Sequence, residues 1–192
     1  MKHLTTLSLA LFCFINAFAQ SGLKSGTQAP AFSGTDNTGK KVALRQLLKK
    51  HKAVVLFFYR GQWCPYCNKH IKELQDSLSL LTAKGAYVVG VTPETAENIS
   101  KTIEKTHASF SIIQDKDYHI MKAYDVNYVL DDKTVNQYRN WHVNLDEING
   151  NTDHVLPVPA TYIIDNTGKI TFVQFDKDYR KRASVADLLQ AL

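Results

Sequence analysis

The feature that most constrains this chain is a continuous apolar run, Ala53-Val-Val-Leu-Phe-Phe-Tyr59, which leads directly into Trp63-Cys64-Pro65-Tyr66-Cys67. A run rich in β-branched and aromatic residues, with no polar alternation, reads as a strand buried on both faces. Something must therefore cover each side of the sheet it belongs to. Pro65 suits the first turn of a helix, where its missing N–H would have no partner anyway. Cys67, Ile71, Leu74, Leu78 and Leu81 then recur at helical spacing until Gly85. The two cysteines thus fall at a turn from buried strand to helix.

The rest of the chain continues the alternation. Ala86–Val91 reads as a second buried strand, and Pro93-Glu94 as the opening of a helix reaching about His107, with Ala96, Ile99 and Ile103 as its stripe. Phe110–Ile113 is a short strand and Tyr118–Tyr124 a short helix. Residues 126–157 are polar and read as an insertion of loop and short helix, and residues 21–40 as an irregular segment with a turn at 36–39. Ala160–Asp165 and Ile170–Phe175 flank Asn166-Thr-Gly168 as a hairpin, and Ser184 caps a closing helix to Leu192. Parallel strands need crossover helices, whereas a hairpin supplies antiparallel ones. The expected fold is therefore α/β, a mixed central sheet with helices on both faces, which resembles the thioredoxin-like plan.

At the N-terminus, Lys2 and His3 precede an apolar run, Leu7–Phe18, that closes on Ala17-Phe18-Ala19. This is the pattern of a signal peptide over residues 1–19, cleaved after Ala19, with one domain over 20–192 and a periplasmic or secreted destination. The run is too short for a membrane anchor and no second one follows, so no membrane association is expected after cleavage. A lipid anchor on Cys13 is disfavoured, because bulky Phe12 stands where a small residue should. The formal charge of +5 is scattered, with no basic run of the kind that nucleic acid selects. Of three cysteines, Cys64 and Cys67 remain after cleavage, in a compartment where disulfides persist.

A thiol at a helix N-terminus feels unpaired N–H groups and the helix dipole, both of which favour the thiolate. Cys64 occupies that position. Cys67 lies one turn inside, on the stripe of Ile71 and Leu74, where burial raises a thiol pKa. Cys64 is therefore the expected nucleophile toward disulfides and Cys67 the resolving thiol, with Pro65 limiting how the pair is held and Trp63 shielding it. Two other uses of the motif stay open. Half a zinc site would need further ligands, and only His70 lies nearby in sequence. A purely structural bridge would close so small a loop that it adds little. No cofactor is called for. Pro159, in Val158-Pro159-Ala160, immediately precedes a strand, a place where prolines are also found at sheet edges.

The chain resembles the peroxiredoxin superfamily, in the branch related to alkyl-hydroperoxide reductase and the thiol-specific antioxidants. The resemblance rests on Gly26-Thr-Gln-Ala-Pro-Ala-Phe32, Val54–Gly61, Trp63–Cys67, Gly90-Val-Thr92, Leu156–Ala160, Ile163-Ile-Asp165 with Gly168, and Asp178-Tyr-Arg-Lys-Arg182. It covers nearly all of residues 20–192. It implies a cis Pro159 facing the dithiol and places the peroxidatic cysteine at Cys67. Where typical members carry a Thr, a Pro and a strand Arg, this chain has Cys64, Arg60 and Pro159, which leaves Arg60 as the candidate positive charge. The implied activity is peroxide reduction with a thioredoxin-type or other thiol electron donor. The alternative is a thiol–disulfide oxidoreductase acting on the disulfides of exported proteins. A non-catalytic binding module is a third possibility, and the intact dithiol speaks against it.

Overall fold

A computed structural model describes residues 21–192; the expected leader, its Ala19 cleavage point and Cys13 lie outside the described residues. The first elements are a small ribbon, β1 (Ser33–Thr35) with β2 (Lys41–Ala43), turned by Asp36, whose carboxylate accepts the backbone N–H groups of Thr38 and Lys40. Then come α1 (Leu44–Leu48), β3 (Ala53–Phe58), α2 (Pro65–Asp76), α3 (Leu78–Ala83), β4 (Ala86–Thr92), α4 (Ala96–Thr106), β5 (Ser111–Gln114) and α5 (His119–Ala123). The chain continues through β6 (Asn127–Val129), α6 (Asp132–Asn140), α7 (Leu145–Asn149), β7 (Val155–Pro157), β8 (Ala160–Asp165), β9 (Ile170–Phe175) and α8 (Val185–Ala191).

The main sheet has the order β5-β4-β3-β8-β9. β3 pairs parallel with β4, and β4 with β5, while β8 runs antiparallel to β3 and β9 antiparallel to β8. This is the mixed sheet the sequence predicts, with β3 at its centre. Successive strand residues point to opposite faces, so β3 builds two cores at once. Val54, Leu56 and Phe58 pack with Val89, Tyr162, Ile120 and Met121 on one face. Val55, Phe57 and Tyr59 pack with Ile71, Leu74, Leu81, Ile99 and Leu188 on the other. Each such fully buried side chain contributes about 1.5–3 kcal/mol relative to an exposed one.

Several expectations are corrected in detail. The helix expected over 65–84 is two, because Ser77 leaves helical geometry (φ −106°, ψ 10°) and its carbonyl starts α3 by accepting from Leu80 and Leu81. The next helix begins only at Ala96, since the Thr95 hydroxyl caps it by accepting the Asn98 N–H. Pro93 and Glu94 therefore lie ahead of α4. The 126–157 insertion is more regular than its polarity suggests. β6 and β7 form an antiparallel ribbon, and Leu130, Val135, Tyr138, Leu145 and Leu156 give it a small core against which Trp63 packs.

Pro159 is not cis, as no cis peptide bond occurs among the described residues. The approach to β8 is set by the insertion. Leu156 and Pro157 pair with β6, and the Val158 N–H donates to the Val126 carbonyl at 2.7 Å, so the chain runs extended into Ala160. Pro159 is buried and borders a hollow with Tyr128, Val158 and Lys177, one residue ahead of Ala160, which pairs with Phe58.

Candidate functional site around Cys64 and Cys67

β3 ends at Phe58 and delivers Tyr59, Arg60 and Gly61 to the carboxyl end of the sheet, where α2 begins. Gly61 is required by closeness: with φ at 156°, a Cβ there would collide with the Trp63 indole nitrogen and lie 2.8 Å from Glu94 Oε1. Cys64 is the N-cap of α2 with Pro65 at the first helical position, as the sequence implies, and its carbonyl accepts from the Cys67 and Asn68 N–H groups. Both thiols are free and both are buried, Cys64 at 1% exposure and Cys67 at 0%.

The electrostatics of the pair reverse the expectation. The Cys64 thiol is pushed up, first because its proton is engaged by Cys67 and then by burial. For Cys67, burial alone would push the thiol up as well. The Cys64 S–H, the Arg182 guanidinium and the backbone N–H and charge of Arg60 outweigh it and bring the thiol below its ordinary value. Arg182 Nη2 donates to Cys67 Sγ at 3.4 Å. The helix N-terminus favours an anion at Cys64 by a fraction of a kcal/mol up to about 2 kcal/mol, whereas Cys67 has a direct cation and a direct S–H donor. These groups favour the anion at Cys67 over Cys64.

Above the dithiol lies a cleft of about 260 Å³ lined by Cys64, Arg60, Trp63, Tyr138, Trp141 and Tyr179 among others. Cys64 borders it and Cys67 does not. Arg60 is almost wholly buried, donates from Nη2 to the Tyr138 hydroxyl, and carries its guanidinium 4.2 Å from the Tyr179 ring centre and 4.8 Å from that of Trp63. Such stacking partly compensates a desolvated cation. Trp63 in turn packs on Tyr138 at 5.1 Å.

Behind the turn, Glu94 is fully buried and its Oε1 accepts the Gln62 N–H at 2.6 Å. Burial pushes its carboxyl up to about 7, with the Cys67 charge adding to the rise and the Gln62 hydrogen bond opposing it. His70 lies on the buried face of α2, edge-on to Phe57 at 5.7 Å, with neither ring nitrogen in a well-aligned hydrogen bond. Burial first, and the Arg182 charge second, hold it neutral with a pKa near about 3.

Of the residues singled out from sequence, Cys64, Trp63 and Arg60 line the cleft and Cys67 lies behind it in contact with Arg182; Pro159 directly precedes Ala160, which pairs with Phe58 at the end of β3. Arg182, Glu94, Tyr138 and Tyr179 were missed as functional residues. Arg182 and Tyr179 sit in the 178–182 segment that carried the resemblance, and Glu94 follows a helix-opening proline, but nothing in either pattern ties them to the dithiol. Tyr138 belongs to the insertion, whose contact with Trp63 is purely tertiary.

Comparison with known proteins bears on the family and the fold. The sequence profile of the AhpC/TSA family matches residues 25–173. The peroxiredoxin Bcp of Escherichia coli (strain K12) is 29% identical over 104 residues, which cover 54% of this chain and 65% of that protein, just under two thirds of its length. The crystal structure of peroxidoxin BcpB from Mycobacterium tuberculosis superposes with a TM-score of 0.67 at 21% identity, over 88% of this chain and 96% of that one. A reduced 2-Cys peroxiredoxin of Plasmodium vivax gives 0.64 at 20% identity, over 86% and 92%. At these identities the two structures speak for the fold.

Proposed function

The chain belongs to the AhpC/TSA family, and from that premise we propose that it is a thiol peroxidase in which Cys67 attacks and Cys64 resolves. The Cys67 thiolate takes the terminal oxygen of a hydroperoxide, the O–O bond breaks, and the product leaves as water or an alcohol once protonated. Cys67 is then a sulfenic acid. The Cys64 thiol condenses with it, releasing water and closing the Cys64–Cys67 disulfide. An external thiol donor regenerates the pair. Cys64 faces the cleft, so a donor thiolate attacks its sulfur and expels Cys67, and the lower-pKa thiol is the better leaving group.

One observation carries the reading: the Arg182 guanidinium donates to Cys67 Sγ at 3.4 Å and, with the Cys64 S–H, favours the thiolate there. Arg60, buried without a carboxylate partner among the described residues, adds a second positive charge beside the pair. The leader expected over residues 1–19 supports a periplasmic or extracellular setting for this chemistry. The site's test is stopped-flow oxidation of the reduced protein by hydrogen peroxide and an organic hydroperoxide, followed by tryptophan fluorescence, which Trp63 should dominate. Fast, saturable oxidation is expected in the unaltered protein and in Cys64→Ser, with a loss on the order of a thousandfold in Cys67→Ser. Peroxide oxidation no faster than that of a free thiol, alongside rapid reduction of protein disulfides, would instead establish the thiol–disulfide oxidoreductase.

A further inference from the structure

Glu94 is the one buried acid beside the dithiol that the chemistry above leaves unused. It stands just past β4 at 0% exposure. Its Oε1 accepts the Gln62 N–H at 2.6 Å, two residues before Cys64, and its Oε2 accepts the Thr102 hydroxyl of α4 at 3.4 Å. No cation pairs with it among the described residues. The ammonium that reaches this turn, Lys105 of α4, donates to the Gln62 carbonyl at 3.2 Å and to the Gln62 side chain instead. The groups that bear on the carboxyl are the Tyr59 phenol just past β3, Cys67 from α2, Thr102 from α4 and the Gln62 N–H from the turn.

A carboxylate and a thiolate would therefore share one enclosed region with no cation on the carboxylate side. Two anions so placed resist simultaneous ionisation. Cys67 has Arg182 and the Cys64 S–H; Glu94 has neither. The thiolate therefore adds to burial in holding the proton on the carboxyl, and its loss leaves burial alone to oppose the Gln62 N–H and Thr102 hydroxyl that favour the carboxylate.

We propose that Glu94 is the proton partner of the dithiol, protonated while Cys67 is a thiolate and ionised when Cys67 is in the disulfide. The inference rests on the reading of Cys64 and Cys67 as a redox pair. On reduction, two electrons from a donor dithiol break the S–S bond and leave the donor as its own disulfide. One donor proton goes to the Cys64 sulfur, the other to the Glu94 carboxylate, and Cys67 remains a thiolate. Oxidation by peroxide reverses the Glu94 step: the carboxyl loses its proton as the thiolate charge disappears, at the moment the departing alkoxide or hydroxide needs one. Glu94 acts through Cys67 and is thus a positioning residue rather than a catalytic one.

The consequence is a proton count. Equilibration of the full chain against a dithiol redox buffer at pH values from 6 to 7.5 gives the protons taken up per disulfide reduced. Near pH 7, where Cys67 stays largely ionised, the unaltered protein should take up clearly more than one proton, and Glu94→Gln should fall toward the single Cys64 proton. Glu94→Asp, which keeps an ionisable group at the turn, should restore part of the second proton. A role confined to holding the Gln62 N–H would be kept by the glutamine oxygen and would leave the count unchanged in Glu94→Gln, overturning the proposal. Failure of any disulfide to form between Cys64 and Cys67 would overturn the redox reading itself, and alkylation with mass analysis tells the two failures apart.

Discussion

The two faces of the central sheet are built from the same strand to different standards. On the face of Val54, Leu56 and Phe58, the buried hydroxyls are satisfied: Tyr124 donates to the Pro30 carbonyl at 2.9 Å, Tyr118 to Asn151 at 2.8 Å, and the Leu23 N–H donates to the Tyr162 oxygen at 3.2 Å. On the face of Val55, Phe57 and Tyr59, buried polar atoms without a well-aligned partner gather around the dithiol. They include the Tyr59 hydroxyl, Arg60 Nε, Trp63 Nε1, Asn68 Oδ1, both His70 ring nitrogens and Arg182 Nε. A buried polar group left without a partner costs about 1–3 kcal/mol. One face is packed for stability; the other gives up stability to place charge and hydrogen-bond donors beside a thiolate.

That contrast can be broken or sharpened by substitution. Leu56→Ala, on the satisfied face, removes a side chain with no exposed surface and should destabilise the protein by about 2–5 kcal/mol. Denaturant unfolding would show the loss, while the pH dependence of Cys67 alkylation should not move. Arg182→Ala, on the other face, should do the opposite. Losing the guanidinium raises the Cys67 thiol and slows its reaction with peroxide at pH 7 by about tenfold. The deficit should close as pH rises and the thiol ionises fully, whereas a rate deficit constant across pH would show that Arg182 does not act on the thiolate.

The smallest effect concerns His70. Its pKa near about 3 in the folded state lies below the ordinary histidine value, so the unfolded chain binds the proton more readily. Its contribution is present above about pH 6.5 and is lost as pH falls toward about 3. His70→Leu should gain about 1 kcal/mol at neutral pH by removing two buried nitrogens that lack well-aligned partners. It should also lose less stability than the unaltered protein between pH 6 and 4. A variant less stable than its parent at both pH values would show that the imidazole has a partner in solution.

How much of this was legible in the sequence follows the range of the interactions. β3, α2, β4 and the β8–β9 hairpin could be read because apolar runs, Pro65 and the Asn166–Gly168 turn act locally. The same locality located the dithiol at the strand-to-helix turn. Its polarity was misread because the deciding groups come from far along the chain: Arg182 lies 115 residues from Cys67. A helix-end argument sees the backbone N–H groups and cannot see that guanidinium. The bond before Pro159 was misread as cis for a similar reason, since the β6–β7 ribbon next to it belongs to a stretch whose polar composition hides its pairing.

The central claim is that Cys67, the inner cysteine, is the thiolate of the pair. It is tested most directly by the pH dependence of iodoacetamide alkylation in Cys64→Ser and Cys67→Ser. The thiol remaining in Cys64→Ser, still beside Arg182, should titrate at least about one unit below the ordinary thiol value of ~8.5. The thiol remaining in Cys67→Ser should titrate above that value, because burial opposes its ionisation. The reverse order, with Cys64 the more acidic, would restore the helix-cap argument and contradict the account given by Arg182 and the Cys64 S–H.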